Sequence, residues 1–235
     1  MITFMWVKPL LNYLVAFRAD PLLASVDHLI FGTDPWRLLG FLNITPLAIL
    51  YHRGWFALMI MTLLMLLMQP SSVRKSATML TYFLLWSVFG PVVHVLCPAA
   101  GPVFYSALGY GNSFSGLVTV QETNEAARYL WRFYSDQSFG PGAGISAMPS
   151  LHIATTVWMV VAVWQFARRW TLPMAAVGGL IFLLSISLGW HYAIDGIVGG
   201  AGTIAIWWIA WVLLDRVPAS ARRSPSLSTD PNAAV

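Results

Sequence analysis

Residues 189–214 read GWHYAIDGIVGGAGTIAIWWIAWVLL. The later part, about Ile197 to Leu214, is an uncharged apolar run of the length that crosses a hydrocarbon core, about 20 residues with its flanks. The earlier part sets His191 and Asp195 at the mouth of that run, four positions apart. Reading backwards, similar apolar runs stand at about 172–188, 151–167, 77–96 and 55–68, with a first one near residues 2–18. A mixed stretch carrying Asp27, His28, Asp34, Pro35 and Arg37 follows that first run. The pattern predicts an all-α membrane protein, a bundle of about six transmembrane helices.

Composition agrees. The chain is 58% hydrophobic and 9% charged, against roughly 25% charged in soluble domains. A soluble fold of this length would lack a polar surface. Twelve Trp and eight Tyr fit residues that favour membrane interfaces. A lone cysteine, Cys97, makes no internal disulfide. The net charge of +4 includes no basic stripe with interleaved aromatics, so nucleic acid is not an expected partner. The start lacks the signal-peptide pattern, and Met1 to Phe17 is expected to be retained.

Charge placement gives an orientation. Arg74 and Lys75, Arg168 and Arg169, and Arg216, Arg222 and Arg223 fall on one face of an alternating path, which the positive-inside rule makes cytoplasmic. The long loop from about Cys97 to Pro149, between the third and fourth spans, is then extracytoplasmic, as is the turn around His191. Residues 1–216 are expected to form one transmembrane domain. Residues 217–235, rich in Ser, Pro, Ala and Asp, are expected to be a disordered cytoplasmic tail.

Few residues can do chemistry. His152 follows Pro149-Ser150-Leu151 where a span begins, and Ser150 is a natural N-cap there. A helix N-terminus presents free N–H groups and a positive dipole end, which suit phosphate. A spacing of four puts His191 and Asp195 on one helix face, where the carboxylate can accept from one imidazole nitrogen and leave the other to attack or take a proton. Two spans separate His152 from His191, so all three residues share the extracytoplasmic face. His28 and His52 stand alone and read as interfacial anchors. Such a His–Asp pair also occurs as a plain structural hydrogen bond; the shared face and the Pro-Ser start favour chemistry.

These segments resemble the type 2 phosphatidic acid phosphatase superfamily. Its second motif, Pro-Ser-Gly-His, is matched by Pro149-Ser150-Leu151-His152, and the end of its third by His191 and Asp195. The resemblance implies His191 as a nucleophile forming a phosphohistidine, Asp195 orienting it, and His152 as acid, then base. It implies no metal and no cofactor, a lipid-phosphate substrate, and a bilayer partner. The third motif's Ser and Arg fall at Leu184 and Ser185, and the first motif's Lys and Arg have no counterpart near Pro91–Pro98. These departures resemble the branch containing inositol phosphorylceramide synthases, where a His-His-Asp triad carries head-group transfer. Transfer such as that of inositol phosphate is therefore favoured over hydrolysis of phosphatidic acid or a polyprenyl diphosphate. A bacterial inner membrane is expected; a Golgi-type membrane is topologically equivalent.

A phosphate still needs positive charge. The candidates on that face, besides the Ser150 cap, are Arg128 and Arg132, four apart in the long loop, with Arg53 and His94. The two loop arginines equally fit an interfacial amphipathic helix. Gly140-Pro141-Gly142-Ala143-Gly144 precedes the second motif, as a backbone that approaches a ligand closely or as a hinge. Two other classes compete. A haem protein would place its histidines within the spans, facing each other. A lipid-binding relative without activity would not need an intact triad.

Overall fold

The computed structural model describes residues 2–216, with side chains from Trp6 onward. The expected disorder at 217–235, and Arg222 and Arg223, lie outside the described residues. Among the described residues every regular element is helical. The principal helices are α1 (Ile2–Leu14), α2 (Asp20–Phe31), α3 (Thr45–Leu67), α4 (Val73–Leu96), α5 (Gln121–Ser135), α6 (Leu151–Phe166), α7 (Arg168–Ser187) and α8 (Ala193–Asp215).

Four of these, α3, α4, α7 and α8, are long and apolar enough to cross a membrane. The expected first span is shorter than the sequence suggested. With 13 residues, α1 rises about 20 Å, less than a hydrocarbon core of about 30 Å. It rests against the far half of α4. The second expected span begins earlier than predicted, at Thr45, because the backbone continues through His52 and Arg53 in a wide π turn at Leu50–Gly54. A second wide turn, Leu85–Phe89, precedes Gly90-Pro91 in α4. Pro91 has no N–H to donate and its ring crowds the carbonyl one turn back, so the helix widens there.

The 16-residue α6 sits at the middle of the bundle and packs against α3, α4, α7 and α8. Its apolar residues run all round, the mark of an enclosed helix. Trp158 is fully buried and its indole N–H donates to the Thr78 carbonyl at 2.7 Å. Near the far end of α6, the Gln165 amide donates to Thr78 Oγ1 at 2.8 Å, so α4 starts where α6 finishes. Arg74, Lys75, Arg168, Arg169 and Arg216 therefore gather at one end of the bundle. At the other end lies the 97–149 connection, which carries α5 and folds over the starts of α6 and α8.

Candidate active site

The two histidine-bearing segments meet because the starts of α6 and α8 lie side by side. Ser150 caps α6, its hydroxyl accepting from the Ile153 N–H at 3.3 Å. The Ser150 N–H donates to the Asp195 carbonyl at 3.1 Å. Gly199 makes this approach possible, since a Cβ there would stand 2.6 Å from the Ser150 carbonyl oxygen. One turn on, the Thr203 hydroxyl donates to the Ala154 carbonyl at 3.0 Å. The His152 and His191 rings come to 6.0 Å between centroids.

His191 and Asp195 are arranged differently from the expectation. His191 precedes α8 rather than lying on its face, and its backbone N–H donates to the Ser185 carbonyl at 3.1 Å. Its Nδ1 lies 2.9 Å from the Ala147 carbonyl, an acceptor that fixes the proton on Nδ1 and leaves Nε2 with a lone pair. Asp195 Oδ2 stands 3.6 Å from Nδ1, within ion-pair range but beyond a good hydrogen bond. That oxygen instead accepts the Tyr192 N–H at 2.9 Å, reaching back to cap α8. Asp195 is fully buried and its Oδ1 has no hydrogen-bond partner.

His152 is flanked by aromatic rings. Tyr51 stacks on it at 4.8 Å and 19°, and Trp55 lies at 4.2 Å. Tyr51 and Trp55 are four apart on α3, across the π turn that the sequence did not reveal. The Trp55 N–H is engaged by Thr155 Oγ1 at 3.2 Å, which holds its ring in place.

Two acids missing from the sequence-level site, Asp20 and Asp27, belong to α2 and hold the His191 turn. Asp27 accepts from the Ala193 and Ile194 N–H groups at 2.6 and 3.0 Å. Asp20 accepts from the N–H groups of Ala100 and Gly101, the latter at 2.7 Å, and from the Tyr192 hydroxyl at 3.0 Å. Burial pushes both carboxyls above the usual range, and the donated N–H bonds pull them back. Burial and the neighbouring Asp20 push the Tyr192 phenol up, so it keeps its proton and donates. These contacts bridge up to 172 positions, and no local sequence signal announces them.

The histidines open onto a cavity of about 380 Å³. Its walls are largely aromatic, with Tyr51, Trp55, Trp86, Phe104 and Trp190, and α5 contributes Ala126, Tyr129 and Leu130 as a roof. His52 lines it too, edge-on to Trp190 at 5.5 Å, which corrects its reading as a plain anchor. The expected phosphate cations are not brought into this cavity. Arg53, Arg128 and Arg132 are exposed and none of them lines it; Arg132 instead lies 3.7 Å from Asp136. The polar face of α5 points outward because its apolar face is the one that covers the cavity. His94 is buried, with Ser146 Oγ at 3.0 Å and Asn12 at 3.4 Å, and supports the wall from behind. Among the described residues the one Lys or Arg lining the cavity is Lys8, from α1. A single charge inside an apolar helical stretch was the available signal.

The glycine-rich run makes its close approaches to protein. A Cβ at Gly144 would meet Lys8 Cγ at 2.5 Å, and one at Gly140 the Phe133 ring at 2.6 Å. Gly101, at φ +106°, lies where a Cβ would come within 2.5 Å of the Trp190 carbonyl oxygen.

The family model of the PAP2 superfamily matches residues 40–209. The chain belongs to the PAP2 superfamily. Membership supports a phosphatase or phosphotransferase of lipid type, and the apolar helices fit an integral membrane protein. The matched region includes both histidines and Asp195 of this PAP2 protein but leaves out α1, and with it Lys8. No curated protein and no solved structure matches the chain.

Proposed function

We propose that this PAP2 protein transfers a phosphorylated head group between lipids through a covalent phosphohistidine on His191, as in the inositol phosphorylceramide synthase-like branch. The observation that carries the reading is the pairing of two imidazoles across one cavity wall, with His191 Nδ1 tied to a carbonyl. The Nε2 lone pair of His191 attacks phosphorus, and the bond from phosphorus to the leaving alkoxide breaks. His152, protonated, gives its proton to that alkoxide. The neutral His152 then takes the proton of an acceptor hydroxyl, whose oxygen attacks phosphorus as the P–N bond breaks. Asp195 stabilises the positive charge that His191 carries in between. No step requires a metal.

Two features favour transfer over hydrolysis. A phosphodiester head group carries one negative charge, which suits a cavity lined by one Lys and no Asp or Glu. The aromatic walls and the α5 roof also limit water around the reacting atoms. With the basic end of the bundle cytoplasmic, the cavity opens toward the extracytoplasmic face of a bacterial inner membrane.

Reconstitution with phospholipids labelled in the head-group phosphate, with and without a lipid alcohol, tests this. A labelled new lipid is the expected product. Labelled water-soluble phosphate as the sole product would make the protein a hydrolase, and turnover of neither kind would overturn the activity.

A further inference from the structure

Among the described residues Lys8 is the cavity's one Lys or Arg, and it arrives from a helix that lies outside the PAP2 match. A lysine in an apolar helix can anchor at the interface by extending its stem outward to the head groups. Here Gly144 packs directly on the Lys8 stem, leaving no room for a Cβ, and the Lys8 side chain forms part of the cavity wall. Among the described residues no Asp or Glu lines the same cavity. Loop and helix are fastened to each other one turn on. Asn12 accepts from the Ile145 N–H at 2.8 Å and donates to the Ile145 carbonyl at 2.6 Å.

The rest of the wall points to a polar occupant. Tyr51, His52 and Trp190 line the cavity, and Tyr51 Oη, His52 Nε2 and Trp190 Nε1 are buried without a hydrogen-bond partner. A buried polar group left in this state is destabilising unless something pairs with it. An ammonium and unpaired polar atoms around two histidines match a phosphoryl group with its oxyanions.

We propose that Lys8 is the substrate-phosphate ligand of this site, binding the non-bridging phosphoryl oxygens and supplying the positive charge that no Lys or Arg of residues 40–209 brings to the cavity. The inference rests on the phosphotransfer reading for its substrate but not for its ligand chemistry, a phosphoryl oxyanion from a lipid head group or from free phosphate. An ammonium aimed at charge that grows in the transition state lowers the barrier as other preorganised donors do.

Two measurements test it. With a turnover assay, Lys8→Met is expected to lower kcat/KM by about 100-fold, and Lys8→Arg to recover part of that loss. With the wild-type protein, orthovanadate or inorganic phosphate is expected to slow acylation of Lys8, read by mass spectrometry. Wild-type kinetics in a folded Lys8→Met protein, or acylation of Lys8 unaffected by either anion, overturns the inference. If the anions protect Lys8 while no lipid is turned over, the inference stands and the proposed activity falls.

Discussion

Replacing Asp27 by Ala removes the only side chain that holds the first two N–H groups of α8. Its oxygens lie 2.6 and 3.0 Å from the Ala193 and Ile194 nitrogens, and Ala193 is fully buried. Hydrogen bonds to a charged group contribute about 1.5–3 kcal/mol each, and loss of a cap alone costs about 0.5–2 kcal/mol. The two bonds share one carboxylate, so the combined loss is about 3 kcal/mol rather than their sum. Asp27→Asn keeps one acceptor oxygen and should lose about half as much. Unfolding in mixed micelles, followed by circular dichroism, reads this directly. Because the His191 turn is fixed by the same contacts, turnover should fall at least as steeply as stability, and more in kcat than in KM. An Asp27→Ala protein within about 0.5 kcal/mol of wild type and fully active would refute the idea that α2 positions the turn.

Other perturbations follow from the same geometry. Gly199→Val forces a side chain against the Ser150 carbonyl, 2.6 Å from the first added carbon, and should destabilise by about 1–3 kcal/mol, measured in the same micelle assay. It should also depress activity, since it separates the two helix starts. Tyr51→Leu removes both the ring stacked on His152 and a hydroxyl in the cavity wall and should lower kcat/KM about tenfold; steady-state kinetics decides. The double change Arg128→Ala with Arg132→Ala alters only exposed side chains outside the cavity, so turnover should stay within about twofold of wild type.

The helices were legible where apolar runs are long and bounded by clear signals. Ser150 marked the start of α6, and the run from Ile197 marked α8, because capping and hydropathy act locally. The start of α3 was not legible, since His52 and Arg53 read as a polar boundary although the backbone passes through them. Motif and topology singled out His152, His191 and Asp195, which the fold sets near one another, but not the bond that orients His191. That acceptor, the Ala147 carbonyl, is 44 positions away and is a backbone atom, to which side-chain patterns are blind. Asp20 and Asp27 were passed over for the same reason of distance. That Arg128 and Arg132 stay outside the cavity was not legible, because helical spacing says which residues share a face, not which face turns inward. Lys8 had a local signal, one cation in an apolar run, that was read as part of a span.

The mechanism stands on a bond between phosphorus and His191. That bond is read by rapid acid-free quenching of the reconstituted protein during turnover of a phosphate-labelled phospholipid, followed by peptide mass spectrometry. An acid-labile phosphoryl adduct is expected on the His191 peptide, absent from His191→Gln and accumulating in His152→Ala when the leaving group needs no proton. Turnover without any adduct on His191, or an adduct that persists in His191→Gln, would contradict it.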